Sequence, residues 1–175
     1  MTFTANGYLA PGLHSMTVAE IEAALVTAFP HSTTRRQILA GYRKHLAEVQ
    51  AIIPTFAQFL NGSFATNKND PSDANLVVFM DGVTVDNLPQ ASKDKLRLLL
   101  SGPVTKSTHM CDAYFCPVYP PNHPSNNFSR SQRKYWMGEF GYDRQDVPKG
   151  IVTVSIIPPP PPAAPASPAP SVPSP

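Results

Sequence analysis

The sequence is short of cysteine, since Cys111 and Cys116 are the only two in 175 residues. A disulfide framework needs more cysteines in a shorter chain, so this class of protein is excluded. A zinc site needs several ligands at ligand spacing, and His109 alone does not supply them. We therefore expect two reduced thiols in an intracellular protein.

Charged residues are also scarce, at 15% of the chain, and the formal net charge is only +2. This charge is too small for a nucleic-acid coat, and we expect no DNA partner. No apolar run is long enough to cross a membrane, and the N-terminus lacks the basic start and apolar core of a secretion signal. These absences predict a cytoplasmic protein without a membrane partner.

Proline is the residue in excess, and its distribution divides the chain. Ten of the 21 prolines follow Ile157, in a segment that contains only Pro, Ala, Ser and Val. Such a segment cannot bury enough surface to offset its ordering entropy. The sequence predicts one domain over residues 1–157 and a disordered proline-rich tail over residues 158–175. The tail fits a semi-rigid spacer, and its composition also allows capture by a polyproline-binding domain.

Hydrophobic periodicity and chain breakers predict that helices and strands alternate within the domain. Thr17 and Glu20 form a capping-box pattern before the first helix, and residues 1–13 show no periodic pattern. The predicted helices cover residues 18–29, 33–53, 88–100 and 129–140, and the predicted strands cover residues 55–61, 76–80, 109–119 and 150–157. This alternation predicts an α+β (α/β) fold, a small mixed β-sheet of about four strands with helices packed on it.

The second predicted helix, with Ser32 as its N-cap, carries apolar residues at spacings of three and four. They form one buried stripe: Ile38, Leu39, Tyr42, Leu46, Val49 and Ile53. Four basic residues lie mostly off this stripe: Arg35, Arg36, Arg43 and Lys44. We predict that they form a solvated helix face, with a phosphate-facing cluster as the alternative.

Two short segments hold the residues that predict chemistry. A predicted strand ends at Gly62-Ser63, where glycine permits a sharp turn and the close approach of a phosphate to the backbone. After a spacer of nine residues, Asp73 and Asn75 begin the next strand. Residues two apart on a strand point to the same face, so these two present their oxygens together. Oxygen ligands on one face suit Mg²⁺, which completes its shell with substrate phosphates and water.

Two later residues are further candidates for this site. Asp112 lies within an apolar strand, where an unpaired carboxylate is costly, and it is the candidate third oxygen ligand. Lys149 precedes the last strand and is a candidate contact for a phosphate. Structural alternatives remain: Gly62-Ser63 also fits a tight turn, Asp73 fits a turn cap, and Asp112 fits an ion pair with Arg144 or Lys149.

The pattern of Gly62-Ser63, the spacer and Asp73-x-Asn75 between apolar residues resembles the signature of the nucleotidyltransferase superfamily of the polymerase-beta type. Asp112 would be the carboxylate of a later strand. The resemblance is closest to small uncharacterised bacterial nucleotidyltransferase-like proteins, and it covers most of residues 56–157. The segments that carry it are Gly62-Ser63-Phe64, Pro71-Ser72-Asp73, Phe140-Gly141-Tyr142-Asp143-Arg144 and Pro148-Lys149-Gly150.

The resemblance implies both a reaction and a site. Members of the superfamily move a nucleoside monophosphate from a nucleoside triphosphate to an acceptor hydroxyl or phosphate, with Mg²⁺ or alternatively Mn²⁺. It implies that Gly62 and Ser63 hold the triphosphate and that Asp73, Asn75 and Asp112 hold the metal. Asp73 and Asp112 would be catalytic, and Asp112 would help to activate the acceptor. Several small bacterial relatives modify a protein or RNA in toxin–antitoxin or phage-defence systems, which implies such an acceptor here.

Position 75 departs from the pattern of the superfamily, which has Asp or Glu there. An asparagine oxygen can coordinate Mg²⁺ but brings no negative charge, so a second metal ion would be held poorly. Two hypotheses follow. The first is an enzyme with essential Asp73 and Asp112, and the second is a catalytically inactive module that binds nucleotide or a partner protein, as an antitoxin or regulator would.

Overall fold

A computed structural model describes residues 2–157 of the chain. Its helices are α1 (Val18–Glu22), α2 (Arg35–Gln50), α3 (Gly82–Asp86), α4 (Gln90–Leu99), α5 (Lys106–His109) and α6 (Asn126–Gly141). Its strands are β1 (Gly12–Ser15), β2 (Phe56–Asn61), β3 (Ala74–Asp81), β4 (Ser101–Gly102), β5 (Cys111–Val118) and β6 (Gly150–Ile156). The predicted proline-rich tail, residues 158–175, lies outside the described residues.

The six strands form one mixed sheet in the order β1-β6-β2-β3-β5-β4. The pairs β1–β6 and β3–β5 are parallel, and the other neighbours are antiparallel. The α+β class is confirmed, but the prediction of about four strands was too low. The two missed strands, β1 and β4, are the edges of the sheet. Since β4 has two residues and β1 has four that are mostly exposed, neither carries the apolar pattern that marks a strand in sequence.

The first two helices begin close to the predicted positions. The Thr17 and Glu20 capping box is confirmed, and α1 continues as one π-helical turn to Thr27. Helix α2 begins at Arg35, two residues later than predicted, and the Ser32 hydroxyl accepts a hydrogen bond from the Arg35 amide at 3.1 Å. The predicted third strand begins late because α5 occupies its first residue and Met110 adopts a left-handed conformation, with φ 52°.

The sheet is buried on both faces. On one face, α1, α2 and α4 cover the main core, and five of the six predicted stripe residues of α2 are fully buried there. On the other face, α6 covers a smaller cluster of buried residues: Phe59, Val77, Phe79, Cys116, Phe140 and Ile151. Strand β3 contributes to both clusters, as its continuous apolar run predicted.

Both cysteines are free and buried. Burial raises the pKa of the Cys111 thiol to about 12 and that of the Cys116 thiol to about 11, so both thiols are protonated at neutral pH. Across residues 2–157, every helix is too short or too polar to cross a lipid bilayer.

Candidate functional site

An open cleft of about 1020 Å³ lies at one end of the sheet, beside the C-terminal part of α6. The end of β2, the starts of β3 and β5, and Lys149 just before β6 contribute to its lining. All six residues that the sequence predicted as site residues line this one cleft: Gly62, Ser63, Asp73, Asn75, Asp112 and Lys149.

The strand register explains why three of these side chains lie together. Asn75 pairs with Asn61 of β2 on one side and with Asp112 of β5 on the other. Side chains at paired positions of neighbouring strands project from the same face. Asp73 lies just before β3, two residues from Asn75, and it lines the same cleft. The sheet thus presents Asp73, Asn75 and Asp112 side by side at its end.

Asn61 holds the surrounding backbone in place and was not predicted from sequence. Its amide nitrogen donates to the carbonyl oxygens of Phe140, at 2.8 Å, and Gly150, at 3.0 Å. Its side-chain oxygen accepts from the Gly62 amide at 2.7 Å. One buried side chain therefore joins the end of α6, the start of β6 and the turn that follows β2.

Gly62 cannot be replaced without disturbing this arrangement. Its φ of 79° and ψ of −167° lie in a region that only glycine occupies readily. A Cβ at this position would also collide with the side-chain oxygen of Asn75. Asn75 thus packs directly on the Gly62 backbone, and the two halves of the predicted motif are in contact.

Arg35 stabilises the loop between Ser63 and Asp73 through hydrogen bonds to the backbone of the loop. Its guanidinium donates to the carbonyl oxygens of Leu25, Phe64, Thr66, Lys68 and Asn69, at distances between 2.6 and 3.3 Å. Arg35 has no exposed surface. The expectation that Arg35 belongs to a solvated helix face was therefore wrong, and the phosphate-facing alternative also fails for this residue.

Asp112 carries one of the two buried polar atoms of the cleft that lack a hydrogen-bond partner within residues 2–157. This atom is its Oδ1. Burial raises the pKa of its carboxyl group, the Tyr114 hydroxyl opposes this, and the charge of Asp73 raises it further. The alternative of an ion pair with Arg144 or Lys149 is not found in the described part of the chain.

Asp73 is paired with a residue that the sequence analysis did not single out. Its Oδ2 lies 2.8 Å from the ammonium of Lys106, and its Oδ1 accepts a hydrogen bond from the Ser72 hydroxyl at 2.9 Å. The bond to Asp73 raises the pKa of Lys106. No sequence signal marked Lys106, because it lies in the short α5 between two predicted elements.

Lys149 reaches the cleft from just before β6. It is half-buried, and burial lowers the pKa of its ammonium, while the charge of Asp143 opposes this shift. Within residues 2–157 it forms no ion pair. A partly desolvated cation without a carboxylate partner is suited to an anionic ligand such as a phosphate.

Aromatic side chains form the wall of the cleft beside α6: Tyr114, Tyr135, Trp136, Phe140 and Tyr142. Trp136 is the only tryptophan of the chain, and its ring centroid lies 4.8 Å from that of Tyr114. Its indole Nε1 is buried without a partner in the described residues. Because tryptophan emission responds to its surroundings, Trp136 is a built-in reporter of cleft occupancy.

Three side chains of this cleft could hold a Mg²⁺ ion. The hard oxygen atoms that could bind it belong to Asp73, Asn75 and Asp112. The Oδ1 of Asp112 is buried and has no hydrogen-bond partner in the described residues. In the part of the chain that the structure describes, however, no three His, Cys, Asp or Glu side chains cluster as a metal site would. One carboxylate of this set, that of Asp73, already pairs with Lys106.

The model of a family of unknown function, DUF6932, matches residues 1–155, and the chain belongs to this family. No curated protein and no solved structure matches the chain significantly.

Proposed function

We propose that this member of the DUF6932 family is a nucleotidyltransferase-like protein that transfers a nucleoside monophosphate from a nucleoside triphosphate to a protein or RNA acceptor. One observation carries the proposal. Six residues chosen from sequence, spread between positions 62 and 149, line a single cleft. Unrelated turn and strand residues would not be expected to meet at one end of one sheet.

The roles of the residues follow from their chemistry. Gly62 and Ser63 offer a backbone turn and a hydroxyl to the triphosphate, and Lys149 offers a point charge. Asp73, Asn75 and Asp112 would hold one Mg²⁺, or Mn²⁺ in its place. When bound there, the metal ion neutralises phosphate charge as the reaction proceeds.

In the proposed transfer, the oxygen of the acceptor hydroxyl bonds to the α-phosphorus of the nucleotide. The bond from that phosphorus to the oxygen bridging to the β-phosphate breaks, and pyrophosphate leaves. Asp112 takes the proton of the acceptor hydroxyl.

A second candidate is a catalytically inactive module that binds nucleotide or a partner protein. Two observations favour it. Asn75 stands where the superfamily pattern has a carboxylate, and Asp73 already pairs with Lys106 at 2.8 Å. Such a protein would keep the phosphate contacts of the cleft and lose the transfer step.

Labelled nucleotide transfer distinguishes the two candidates. Wild type, Asp73→Ala and Asn75→Asp are incubated with each nucleoside triphosphate, Mg²⁺ or Mn²⁺, and a protein or RNA fraction of a lysate. For an enzyme, Asp73→Ala should lower labelling at least about 100-fold, as loss of a charge-stabilising group does. Asp94→Ala, which removes an exposed carboxylate of α4, should leave labelling unchanged.

Trp136 emission supplies the second readout. Nucleotide-dependent quenching without labelling in wild type, together with labelling by Asn75→Asp, would establish the inactive binding module. Neither quenching nor labelling in any variant would refute nucleotide binding in this cleft.

A further inference from the structure

The ion pair between Lys106 and Asp73 lies inside the proposed metal site. The two charged atoms are 2.8 Å apart, and the side chain of Lys106 is 47% exposed while that of Asp73 is 12% exposed. Both residues line the cleft together with Asn75 and Asp112. The ammonium therefore reaches Asp73 from the open side, from which a ligand would also arrive.

The backbone that carries Lys106 is firmly held. The buried Thr105 hydroxyl lies 2.7 Å from the carbonyl oxygens of both Gly102 and Cys111, and it accepts from the Ala113 amide at 3.2 Å. On the far side of α5, the carbonyl of His109 packs so closely on Gly41 that a Cβ there would collide with it. Because these contacts hold α5 in place, we expect the flexible lysine side chain, and not the helix, to move away from Asp73.

A divalent cation and the Lys106 ammonium compete for the same carboxylate oxygen. Two positive charges within a few ångströms repel each other strongly in a partly desolvated cleft. With the neutral Asn75, the two carboxylates and one ammonium leave this group with a single net negative charge. A single ion bound after the ammonium has left is the arrangement that this charge balance favours.

We propose that Lys106 is the resident cation of this site and that a divalent metal ion gains Asp73 only by displacing it. The lysine thereby restricts the site to one weakly held metal ion. This inference rests on the metal ligands assigned in the proposed function, but it concerns metal binding by the protein alone. It requires no nucleotide and no transfer.

The test is a titration of the full chain with Mn²⁺, in which free Mn²⁺ is measured by electron paramagnetic resonance. Lys106→Gln should bind Mn²⁺ at least about 10-fold more tightly than wild type, a change of about 1.4 kcal/mol. Lys106→Arg keeps the charge and should remain close to wild type. Adding Asp73→Asn to Lys106→Gln should remove the gain.

Lys149→Gln is the matched control, since it removes another cationic side chain from the same cleft without an ion pair to Asp73. Its Mn²⁺ affinity should rise less than about 3-fold, because the charge it removes acts only from a distance. Equal gains in Lys106→Gln and Lys149→Gln would overturn the proposal, because the contact with Asp73 would then be irrelevant.

Two other results would also overturn it. The first is an absence of Mn²⁺ binding by Lys106→Gln, even when Asn75→Asp is added. The second is a Lys106→Gln variant with unchanged Mn²⁺ affinity but without nucleotide-dependent quenching of Trp136 emission. Such a result would show that Lys106 contacts the phosphates of the nucleotide and does not compete with the metal ion. The Mn²⁺ titration can be interpreted even if the protein transfers no nucleotide. The proposal for Lys106 and the proposed transferase function can therefore be refuted independently.

Discussion

Arg35 and Asp112 are both charged side chains within the domain, and they differ in how completely their surroundings satisfy them. Arg35 donates to five carbonyl oxygens and lies 3.7 Å from the centroid of the Phe29 ring. Burial lowers its pKa to about 10, which still leaves it charged at neutral pH. Asp112, in contrast, has a buried Oδ1 without a partner in residues 2–157.

Five buried side-chain atoms lack a hydrogen-bond partner within residues 2–157, and two of them, on Asp112 and Trp136, belong to residues that line the cleft. A buried polar atom without a partner destabilises a fold by about 1–3 kcal/mol, and native proteins keep few of them. Arg35 shows that this fold can satisfy even a fully buried guanidinium. The other three atoms lie on Thr34, His45 and Gln58, outside the cleft. A ligand in the cleft could complete the hydrogen bonding only of Asp112 and Trp136.

The largest effect is expected for Arg35→Met. It removes the donors of five carbonyl oxygens, two of them in fully buried hydrogen bonds. Each buried carbonyl left without a donor costs about 1–3 kcal/mol, so we expect a loss of at least about 3 kcal/mol in the free energy of unfolding. Urea unfolding measures this loss. Arg36→Met, at the exposed neighbouring position of α2, should change the free energy by less than about 0.5 kcal/mol. Similar losses in both variants would contradict a scaffold role for Arg35.

The burial of Arg35 is a feature that the sequence did not predict. Periodicity identified the apolar stripe of α2 correctly, because each stripe residue repeats a local pattern. The partners of Arg35, in contrast, are backbone carbonyls up to 34 positions away, and carbonyls are the same for every residue type. A side chain that binds such partners leaves no signature in the sequence.

The next effect is expected for Gly62→Ala, at the turn where the scaffold meets the site. Alanine would adopt the backbone region of Gly62 only with strain, and its Cβ would push Asn75 aside. We expect a loss of about 1–3 kcal/mol in stability, together with weaker nucleotide-dependent quenching of Trp136. The matched control is Gly138→Ala in α6, where a Cβ meets no atom, and a gain of about 0.5–1 kcal/mol is expected. A neutral Gly62→Ala would show that the turn is not constrained.

The residues that line the cleft were easier to single out from sequence than the edge strands of the sheet. Gly62, Asp73 and Asp112 carry chemistry that a strand end or strand interior seldom holds without a reason, so each stood out from its neighbours. Lys106 did not, since a lysine in a short connecting segment is ordinary. Its importance comes only from the parallel pairing of β3 with β5, which brings α5 next to Asp73.

The smallest effects, of opposite sign, are expected for Asp70→Asn and Asp112→Asn. The amide of Thr33 donates to Asp70 at 2.7 Å and lowers the pKa of that carboxyl group, whereas burial raises the pKa of Asp112. Charged Asp70 therefore stabilises the fold above the unfolded-state pKa of about 3.9, and this stabilisation is lost as the pH falls through its folded-state pKa. Charged Asp112 destabilises the fold, because its pKa is higher in the folded state than the unfolded-state value of about 3.9. This destabilisation decreases as the pH falls through the folded-state pKa, and it is absent below about 3.9.

At neutral pH, in a chelator, Asp70→Asn should thus unfold more easily than wild type and Asp112→Asn less easily, with both differences shrinking in acid. Urea unfolding over a pH series measures them. If both variants were destabilised alike at neutral pH, Asp112 would be as well satisfied as Asp70. The contrast between Arg35 and Asp112 would then be lost, and with it the reason to seek a ligand beside Asp112.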